Sequence, residues 1–341
     1  MDLTVKALLA PGKGLLALDE SFPTIEKRFK AINVPSTEEN RRAYREMLIT
    51  TPGLAKFISG VILFDETLRQ RTSDDTPVPD VLAKAGIVPG IKVDKGTVAL
   101  SNFPKEKITQ GLDGLREQFA EYQKLGAAFS KWRAVISIGE RLPTRACLEA
   151  NARALALFAG LSQEAGLVPI VEPEVLIDGD HTVAACEEVT TSTLKLVFGA
   201  LSEHRVVFER MLLKTGMVLS GKDCPEQADS DEVSECTLRC LRRTVPAAVP
   251  GIVFLSGGQT DELATERLNA ICRKRNQPWV LSFSFGRALQ APALKAWKGS
   301  SENIGEAQQA LHRRARLNSL ALEGKYLAEM ERDGGQAQRS N

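Results

Sequence analysis

Lys214 stands directly after the apolar run Met211–Leu213 and shortly before a second one, Met217–Val218. A lysine in such a strand is costly to bury unless it has partners or a chemical task. Desolvation and neighbouring cations favour a neutral amine, which can attack a carbonyl carbon and form an imine, or Schiff base. Alternatively, the side chain extends into solvent at the strand end and only attracts anions. The spacing by itself leaves both interpretations open.

Other charged residues occupy similar positions, in or just after β-rich runs. Three pairs among them are spaced i,i+2, so the two members of a pair share one face of a strand, about 6.5–7 Å apart. The residues of this kind are Asp19, Lys92, Asp94, Lys131, Arg133, Glu172, Glu174, Lys214 and Arg287. For any one pair, a solvated strand end or a structural ion pair is the simpler interpretation. Because unpaired buried charges are costly, their recurrence indicates one mutually paired site.

The elements that must position these charges alternate regularly along the chain. Eight β-rich runs occupy residues 14–20, 59–65, 86–94, 127–136, 167–174, 208–216, 251–258 and 279–286. Helix-like segments with charged faces, such as 113–126 and 147–166, separate most of them. Eight such units predict an α/β fold, a closed (β/α)8 TIM barrel with its site at the carboxyl ends of the strands. A doubly wound open sheet is the alternative, but the even spacing and the lack of a GxGxxG motif after a strand favour the barrel.

The predicted mouth of the barrel is more positive than the chain as a whole. Its five cations face three carboxylates, with Asp94 a possible fourth, whereas the net charge of the protein is +1. This excess predicts an anionic substrate, a phosphate ester. In the segment LSGGQ, residues 255–259, glycines would let backbone N–H groups approach the anion, and Arg287 could bind the same phosphate through two hydrogen bonds. Barrels often bind phosphate after the seventh and eighth strands.

The remaining composition excludes several classes of protein. The small net charge gives no field for nucleic acid or an anionic membrane, and no apolar run has the roughly 18 residues of a membrane span. Six sparse cysteines do not form a disulfide framework, which indicates a reducing compartment. We expect one domain, residues 1–341, with a polar, mobile tail over about 332–341. The expected location is the cytoplasm, or an organelle lumen if a transit peptide has been removed.

No metal or cofactor is expected. The histidines, His181, His204 and His312, are widely separated and have no ligand spacing, and cofactor fingerprints are lacking. Cys236 and Cys240 lie one helical turn apart, which allows a metal site, although an ordinary helix face is the simpler interpretation.

At this point the sequence resembles the class I, Schiff-base fructose-bisphosphate aldolases. The matching stretches, in the family's order between residues 14 and 290, are GLLALDES, KRF, STEENRRAYR, GIVPGIKVDKG, GAAFSKWRAVI, VPIVEPEVLIDGDH, MLLKTGMV, FLSGGQ and FSFGRALQ. The resemblance implies a lyase of glycolysis and gluconeogenesis that cleaves fructose 1,6-bisphosphate reversibly, without metal, to dihydroxyacetone phosphate and glyceraldehyde 3-phosphate. Several stretches depart from the family. DESFPT, residues 19–24, stands where DESTGS is usual, LLKTGMV, residues 212–218, stands where many members have LLKPNMV, and QRSN stands at the end where many members have a tyrosine.

The resemblance also implies catalytic roles for single residues. Lys214 matches the Schiff-base lysine, and Glu172 matches the general acid/base of imine formation and hydrolysis. Asp19 matches the carboxylate that handles the C4 hydroxyl. The residues that match the surrounding catalytic network are Glu174, Lys131 and Arg133.

Further residues match contacts to the substrate and its two phosphates. Those of the pocket for the C1 phosphate are Ser256, Gly257, Gly258, Ser284 and Arg287. Lys92 resembles a lysine that contacts substrate. Ser21 and Arg28 resemble contacts near the other phosphate, and Arg41 is assigned to that region with them.

Two other functions stay open. The main substrate could be another phosphoketose, such as sedoheptulose 1,7-bisphosphate or a monophosphate, or the protein could be a non-catalytic phosphosugar-binding scaffold. A scaffold is disfavoured, because the binding of a phosphosugar does not require residues that form an imine. The chain has four such residues, Lys214, Glu172, Lys131 and Asp19. The expected partner is a small phosphosugar, with no nucleic acid and no membrane. By analogy with the family we expect a homo-oligomer, a tetramer.

We predict that excess EDTA leaves the cleavage of fructose 1,6-bisphosphate unchanged, because the three histidines have no zinc-ligand spacing. The initial rate is measured before and after dialysis against the chelator. Complete loss of activity that zinc restores would contradict the class I interpretation.

Overall fold

Eight parallel strands close into a barrel in a computed structural model that describes residues 1–332. The strands of this part of the chain are β1 (Gly14–Leu18), β2 (Ile58–Leu63), β3 (Val88–Lys92), β4 (Thr97–Leu100), β5 (Phe103–Thr109), β6 (Phe129–Ile136), β7 (Val168–Val175), β8 (Leu212–Thr215), β9 (Gly251–Phe254) and β10 (Val280–Phe285). Around the barrel the order is β1, β2, β3, β6, β7, β8, β9 and β10, after which β10 pairs with β1. The predicted TIM barrel is confirmed, and each of its strands overlaps one of the eight predicted runs, although β2 begins one residue before its run and β7 ends one residue after its run.

Helices follow most strands and cover the outside of the barrel. Within residues 1–332 they are α1 (Asp2–Leu8), α2 (Phe22–Lys30), α3 (Glu38–Ile49), α4 (Asp65–Arg69), α5 (Val78–Lys84), α6 (Leu115–Lys124), α7 (Arg145–Glu164), α8 (Val183–Glu203), α9 (Ser230–Thr244), α10 (Asp261–Arg273), α11 (Arg287–Trp297) and α12 (Ile304–Leu322). Thr144, Thr182 and Thr260 cap α7, α8 and α10, each hydroxyl accepting a backbone N–H three residues on. Such caps satisfy N–H groups that the first helical turn leaves free.

Burial on both faces explains why the barrel strands read as continuous apolar runs. Every residue of β7 and β8 is buried, the charged ones included. Helices cover the outer face of such parallel strands while the barrel fills with side chains from the inner face. The strand register then aligns the charges, since Lys92 of β3 is level with Lys131 of β6, and Arg133 is level with Glu172 of β7.

The helix α1 closes the amino-terminal end of the barrel, which the sequence analysis did not predict. Leu8 is fully buried against the barrel interior, and a Cβ on Gly60 would lie 2.6 Å from its Cδ2. A Cβ on Gly251 would collide in the same way with the side chain of Leu9. Two strands of the barrel therefore need glycine where Leu8, at the end of α1, and Leu9, directly after it, enter.

A hairpin that the sequence analysis missed stands beside the mouth. β4 and β5 pair antiparallel, and their side chains are mostly exposed or partly exposed. The segment is short and rich in charge, so it lacks the apolar content by which the barrel strands were recognised. Its first residue, Thr97, lines the cavity described below.

No helix among residues 1–332 is long and apolar enough to cross a membrane. That the whole chain, residues 1–341, forms one domain stays a prediction. The tail predicted over about 332–341 lies outside the described residues from position 333 onward.

We predict that Leu8→Ala lowers the free energy of unfolding by about 2–5 kcal/mol, because a fully buried leucine leaves a cavity that surrounding strands cannot fill. Urea unfolding followed by tryptophan fluorescence measures the change. Leu3 on the same helix is 82% exposed, so Leu3→Ala should stay within about 0.5 kcal/mol of wild type. Equal losses in the two variants would show that α1 does not close the barrel by packing.

Candidate active site

A cavity of about 1380 Å³ opens at the carboxyl ends of the barrel strands. All the catalytic and binding residues predicted above, apart from Arg41, line it. They are Asp19, Ser21, Arg28, Lys92, Lys131, Arg133, Glu172, Glu174, Lys214, Ser256, Gly257, Gly258, Ser284 and Arg287. The structure thus brings together side chains from seven strands or the loops that follow them.

At the base of the cavity one carboxylate lies between two lysines. Glu172 Oε1 is 3.0 Å from Lys214 Nζ, and Glu172 Oε2 is 3.2 Å from Lys131 Nζ. The Lys131 ammonium also contacts Asp19 Oδ2 at 2.6 Å. Glu172, Lys131 and Lys214 are all buried. The four groups form one chain of alternating charge, which offsets the cost of burying each of them.

The charges in this chain determine its protonation states. Burial by itself would raise the pKa of the Asp19 carboxyl, but Lys131 and Lys214 outweigh it and lower that pKa to about 2. Burial likewise opposes the charge on Lys131, yet Asp19 and Glu172 raise the pKa of its ammonium. For Glu172, the two lysines outweigh burial and lower the pKa of the carboxyl. Both carboxylates and Lys131 are therefore ionised at neutral pH.

A second set of ion pairs flanks the first. Arg133 pairs with Glu174, and Lys92 Nζ lies 2.9 Å from Asp94 Oδ1. The other oxygen of Asp94 accepts a hydrogen bond from the backbone N–H of Arg133 at 3.3 Å. Burial alone would lower the pKa of Arg133, but Glu174 outweighs it and the pKa is raised. From the sequence, Asp94 was only a possible member of the site. These contacts make it part of the network of ion pairs.

One end of the cavity offers donors for an anion. Gly257 and Gly258 have positive φ of 54° and 88°, a backbone conformation that glycine adopts without strain. A Cβ on Gly258 would lie 3.3 Å from Arg287 Nη2, so the missing side chain makes room for the guanidinium. Ser284 Oγ is buried and has no hydrogen-bond partner among the described residues. The α11 helix begins at Arg287, and its positive dipole end adds to the attraction.

The opposite end differs more from expectation. Ser21 precedes α2, and its hydroxyl lies 3.2 Å from that of Thr24. Arg28 lines the cavity, but its Nη1 donates to Glu20 Oε1 at 2.5 Å, so part of its hydrogen-bonding capacity is already used. Phe22, one of the departures from the family, packs edge-on against Phe64 with ring centroids 5.2 Å apart.

Arg41 does not lie in the cavity lining, unlike the other predicted residues. Its guanidinium pairs with Glu66 at 2.5 Å and lies over the Phe22 ring, 4.7 Å from the centroid. It therefore supports the loop around Ser21 from behind. The pattern of positive charge in STEENRRAYR could not distinguish a substrate contact from this structural pairing.

Several residues that line the cavity were missed by the sequence analysis. They are Glu20, Thr24, Lys27, Phe64, Arg69, Lys95, Thr97, Gln118, Glu121 and Tyr122, among others. Glu20 could have been found from its position next to Asp19. Those on α6 and on the hairpin come from elements outside the barrel, and no strand-end pattern marks them.

Within residues 1–332 no group of three or more histidine, cysteine, aspartate and glutamate side chains is placed to hold a metal ion. Cys236 and Cys240 are buried on α9, where Cys240 Sγ accepts a hydrogen bond from Thr191 Oγ1 at 3.3 Å and Cys236 Sγ contacts Arg239 at 3.2 Å. These contacts match the simpler interpretation of the pair, an ordinary helix face.

The chain also matches known proteins over nearly its whole length. The family named Glycolytic, described as fructose-bisphosphate aldolase class-I, matches residues 1–341. A probable fructose-bisphosphate aldolase class 1 of Xanthomonas campestris is 57% identical over 324 residues, 95% of this chain and 97% of that protein. The cytosolic fructose-bisphosphate aldolase 6 of Arabidopsis thaliana is 52% identical over 329 residues, 96% of this chain and 92% of that protein.

A solved structure has the same fold. It contains fructose-bisphosphate aldolase from Plasmodium falciparum in complex with TRAP and a small-molecule inhibitor, with a TM-score of 0.94 and 48% sequence identity. The match covers 96% of this chain and 94% of that one. Together with the sequence matches, this confirms the resemblance that the motifs indicated, and the chain belongs to the class I fructose-bisphosphate aldolase family.

Proposed function

We propose that this lyase cleaves fructose 1,6-bisphosphate reversibly, through an imine on Lys214, to dihydroxyacetone phosphate and glyceraldehyde 3-phosphate. The observation that carries the proposal is Glu172, whose two oxygens lie 3.0 Å from Lys214 Nζ and 3.2 Å from Lys131 Nζ in a cavity with an anion-binding end. A phosphoketose held there would present its C2 carbonyl to the Lys214 amine.

Imine formation requires proton transfers that this arrangement can perform. Glu172 takes a proton from Lys214, and the neutral amine adds to C2 to give a carbinolamine. Glu172 then donates a proton to the hydroxyl group on C2, which leaves as water while the nitrogen lone pair forms the iminium bond. Lys131 stays cationic and stabilises the negative charge that develops on that oxygen.

Cleavage of the C3–C4 bond uses the iminium as an electron sink. Asp19, ionised at pH 7, accepts the proton of the C4 hydroxyl, and C4 leaves as the aldehyde carbon. The bonding electron pair moves to C3 and forms an enamine with the Lys214 nitrogen. Protonation of C3 and hydrolysis of the iminium release the ketose product and restore the amine.

Two cationic ends support a bisphosphate as the substrate. Ser284, Arg287 and the glycine loop would bind the C1 phosphate through backbone and charge-assisted hydrogen bonds. Ser21 and Arg28 would contact the second phosphate. A scaffold function is disfavoured because phosphate binding does not require Glu172 between two lysines.

Assembly and location are inferred from the relatives of the chain and from its cysteines. We propose a homo-oligomer, a tetramer by family analogy, and a location in the cytoplasm. The support for the location is the cytosolic Arabidopsis relative together with the six cysteines, none of which forms a disulfide within residues 1–332.

We predict that sodium borohydride, added with substrate, reduces the imine and leaves one covalent adduct on Lys214. Reduction fixes the carbon–nitrogen bond, so peptide mass mapping locates the modified lysine. Lys131 is the internal control, since it lies in the same cavity but is held in its charged form by Asp19 and Glu172. An adduct on Lys131 would show that the two lysine roles are assigned wrongly.

We predict that Lys214→Met abolishes cleavage while the protein stays folded, because methionine keeps the length and apolar packing of the side chain but lacks the amine. Circular dichroism measures the fold and a coupled assay measures cleavage. Near-normal cleavage by this variant would contradict the proposed mechanism.

We predict that Arg287→Ala lowers kcat/KM for fructose 1,6-bisphosphate by the equivalent of about 1.5–3 kcal/mol, the contribution of a charge-assisted bidentate contact. Arg275→Ala is a matched control, because Arg275 is an exposed arginine before β10, outside the cavity lining. If kcat/KM is the same in wild type and Arg287→Ala, Arg287 does not bind the phosphate.

A further inference from the structure

Gln290 lies one helical turn after Arg287 on α11, and the mechanism above does not use it. Its side chain is buried and fully hydrogen-bonded. The amide nitrogen donates to the backbone oxygen of Ala17 at 2.7 Å and to Glu20 Oε1 at 2.8 Å. The amide oxygen accepts from Tyr44 Oη at 3.1 Å and, more weakly, from Arg28 Nη1 at 3.4 Å.

Two of these partners lie on either side of Asp19 in the chain. The pairing of β1 with β10 ends at Leu16 and Phe285, and the Ala17 carbonyl beyond it accepts the Gln290 amide. Glu20 is held at its side chain by Gln290 and at its backbone oxygen by Arg45 Nη2, at 3.0 Å. The backbone that carries Asp19 is therefore fixed before and after the residue.

The same amide connects the two ends of the cavity. Gln290 belongs to the helix that begins at Arg287, whereas Glu20 pairs with Arg28 at the opposite end. The other oxygen of Glu20, Oε2, is buried without a hydrogen-bond partner in the described part of the chain. If the Gln290 bond is lost, Glu20 keeps its contacts with Arg28 and Arg45, but no hydrogen bond among the described residues then ties its side chain to α11.

We propose that Gln290 is a positioning residue for the carbon–carbon cleavage step, which directs the Asp19 carboxylate towards the C4 hydroxyl. This inference rests on the role proposed above for Asp19. Only a glutamine side chain fits all the partners, because the amide supplies two donors and an acceptor. A glutamate would place a second carboxylate against Glu20, and an asparagine would be one methylene too short.

Imine formation should not depend on Gln290. Lys214 is held by β8 and by Glu172, and neither has a hydrogen bond to Gln290 among the described residues. The role of Gln290 can thus be separated from a general loss of structure, because the two chemical steps can be measured independently. Dihydroxyacetone phosphate forms the imine without any cleavage, and fructose 1,6-bisphosphate requires both steps.

The test is Gln290→Leu, which keeps the volume and removes the polar contacts. We expect kcat for cleavage of fructose 1,6-bisphosphate to fall about 10- to 100-fold, the scale of a small misplacement of a catalytic group. The rate at which borohydride traps dihydroxyacetone phosphate on Lys214 should stay at the wild-type value. Equal losses in trapping and cleavage, or an unchanged kcat, would overturn the inference.

Gln163→Leu is the matched control. Gln163 also joins two elements through its amide, donating to the Val207 backbone oxygen at 2.8 Å and accepting from its N–H at 2.9 Å, but it does not line the cavity. Its loss should leave both trapping and kcat unchanged. A fall in kcat equal to that of Gln290→Leu would overturn the inference, because any lost inter-element bond would then have the same effect.

Tyr44→Phe provides a milder variant that keeps the buried ring. It removes the hydrogen bond from Tyr44 to the Gln290 amide oxygen, so kcat should fall about 2- to 10-fold, in keeping with one net hydrogen bond, with trapping unchanged. If Gln290→Leu does not fold, Tyr44→Phe provides the test. A Tyr44→Phe protein whose kcat equals that of the wild type would overturn the inference. Failure of the wild-type enzyme to trap dihydroxyacetone phosphate at all would instead overturn the proposed function, and this inference with it.

Discussion

The Glu172 carboxylate between Lys131 and Lys214 is the interaction on which the rest of the site depends. Each lysine would be costly to bury alone, and the carboxylate would be costly without the lysines, so the three groups make one another possible in the interior of the barrel. Asp19 joins the chain through Lys131. Removing any member would take one partner away from at least one buried charge, so the side chains from the different strands stabilise one another in the site.

The two ends of the barrel are packed differently, since one is closed by apolar side chains and the other is open and charged. At the amino-terminal end, α1 inserts Leu8 and Leu9 against strands that carry glycine at the contact points, and this end is closed and apolar. At the carboxyl end the strands carry charged residues and the loops leave a cavity. Close packing at one end gives the strands a fixed register, and that register places Lys92 level with Lys131 and Arg133 level with Glu172. The closed end therefore contributes to the geometry of the open one.

Outside the charged centre, further hydrogen bonds and ion pairs set the geometry of the loops. Gln290 ties the end of β1 to α11, and Arg45 holds the backbone of Glu20. The contacts of Arg41 with Glu66 and with the Phe22 ring support the same loop from behind. In this chain Phe22 stands where the family usually has a threonine, and its ring packs against that of Phe64. These groups can affect the orientation of the Asp19 side chain without contacting the substrate.

The sequence by itself determined the eight strands, the barrel and the charged residues at the strand ends that line the cavity, because a period of two within strands and charges at strand ends are local patterns. The resemblance assigned individual roles that spacing left open, as for Lys214. Only the tertiary structure decided which charges pair. Glu172 contacts both lysines, Arg28 is held by Glu20, and Arg41 lies behind the loop. These contacts join side chains that lie 8 residues apart, as for Arg28 and Glu20, or further, and no strand-end pattern predicts them. The closing helix α1 and Gln290 were missed because their contacts are made across the fold, and no local periodicity records them. The hairpin β4–β5, whose pairing is local, was missed because its segment lacks the apolar content of the barrel strands.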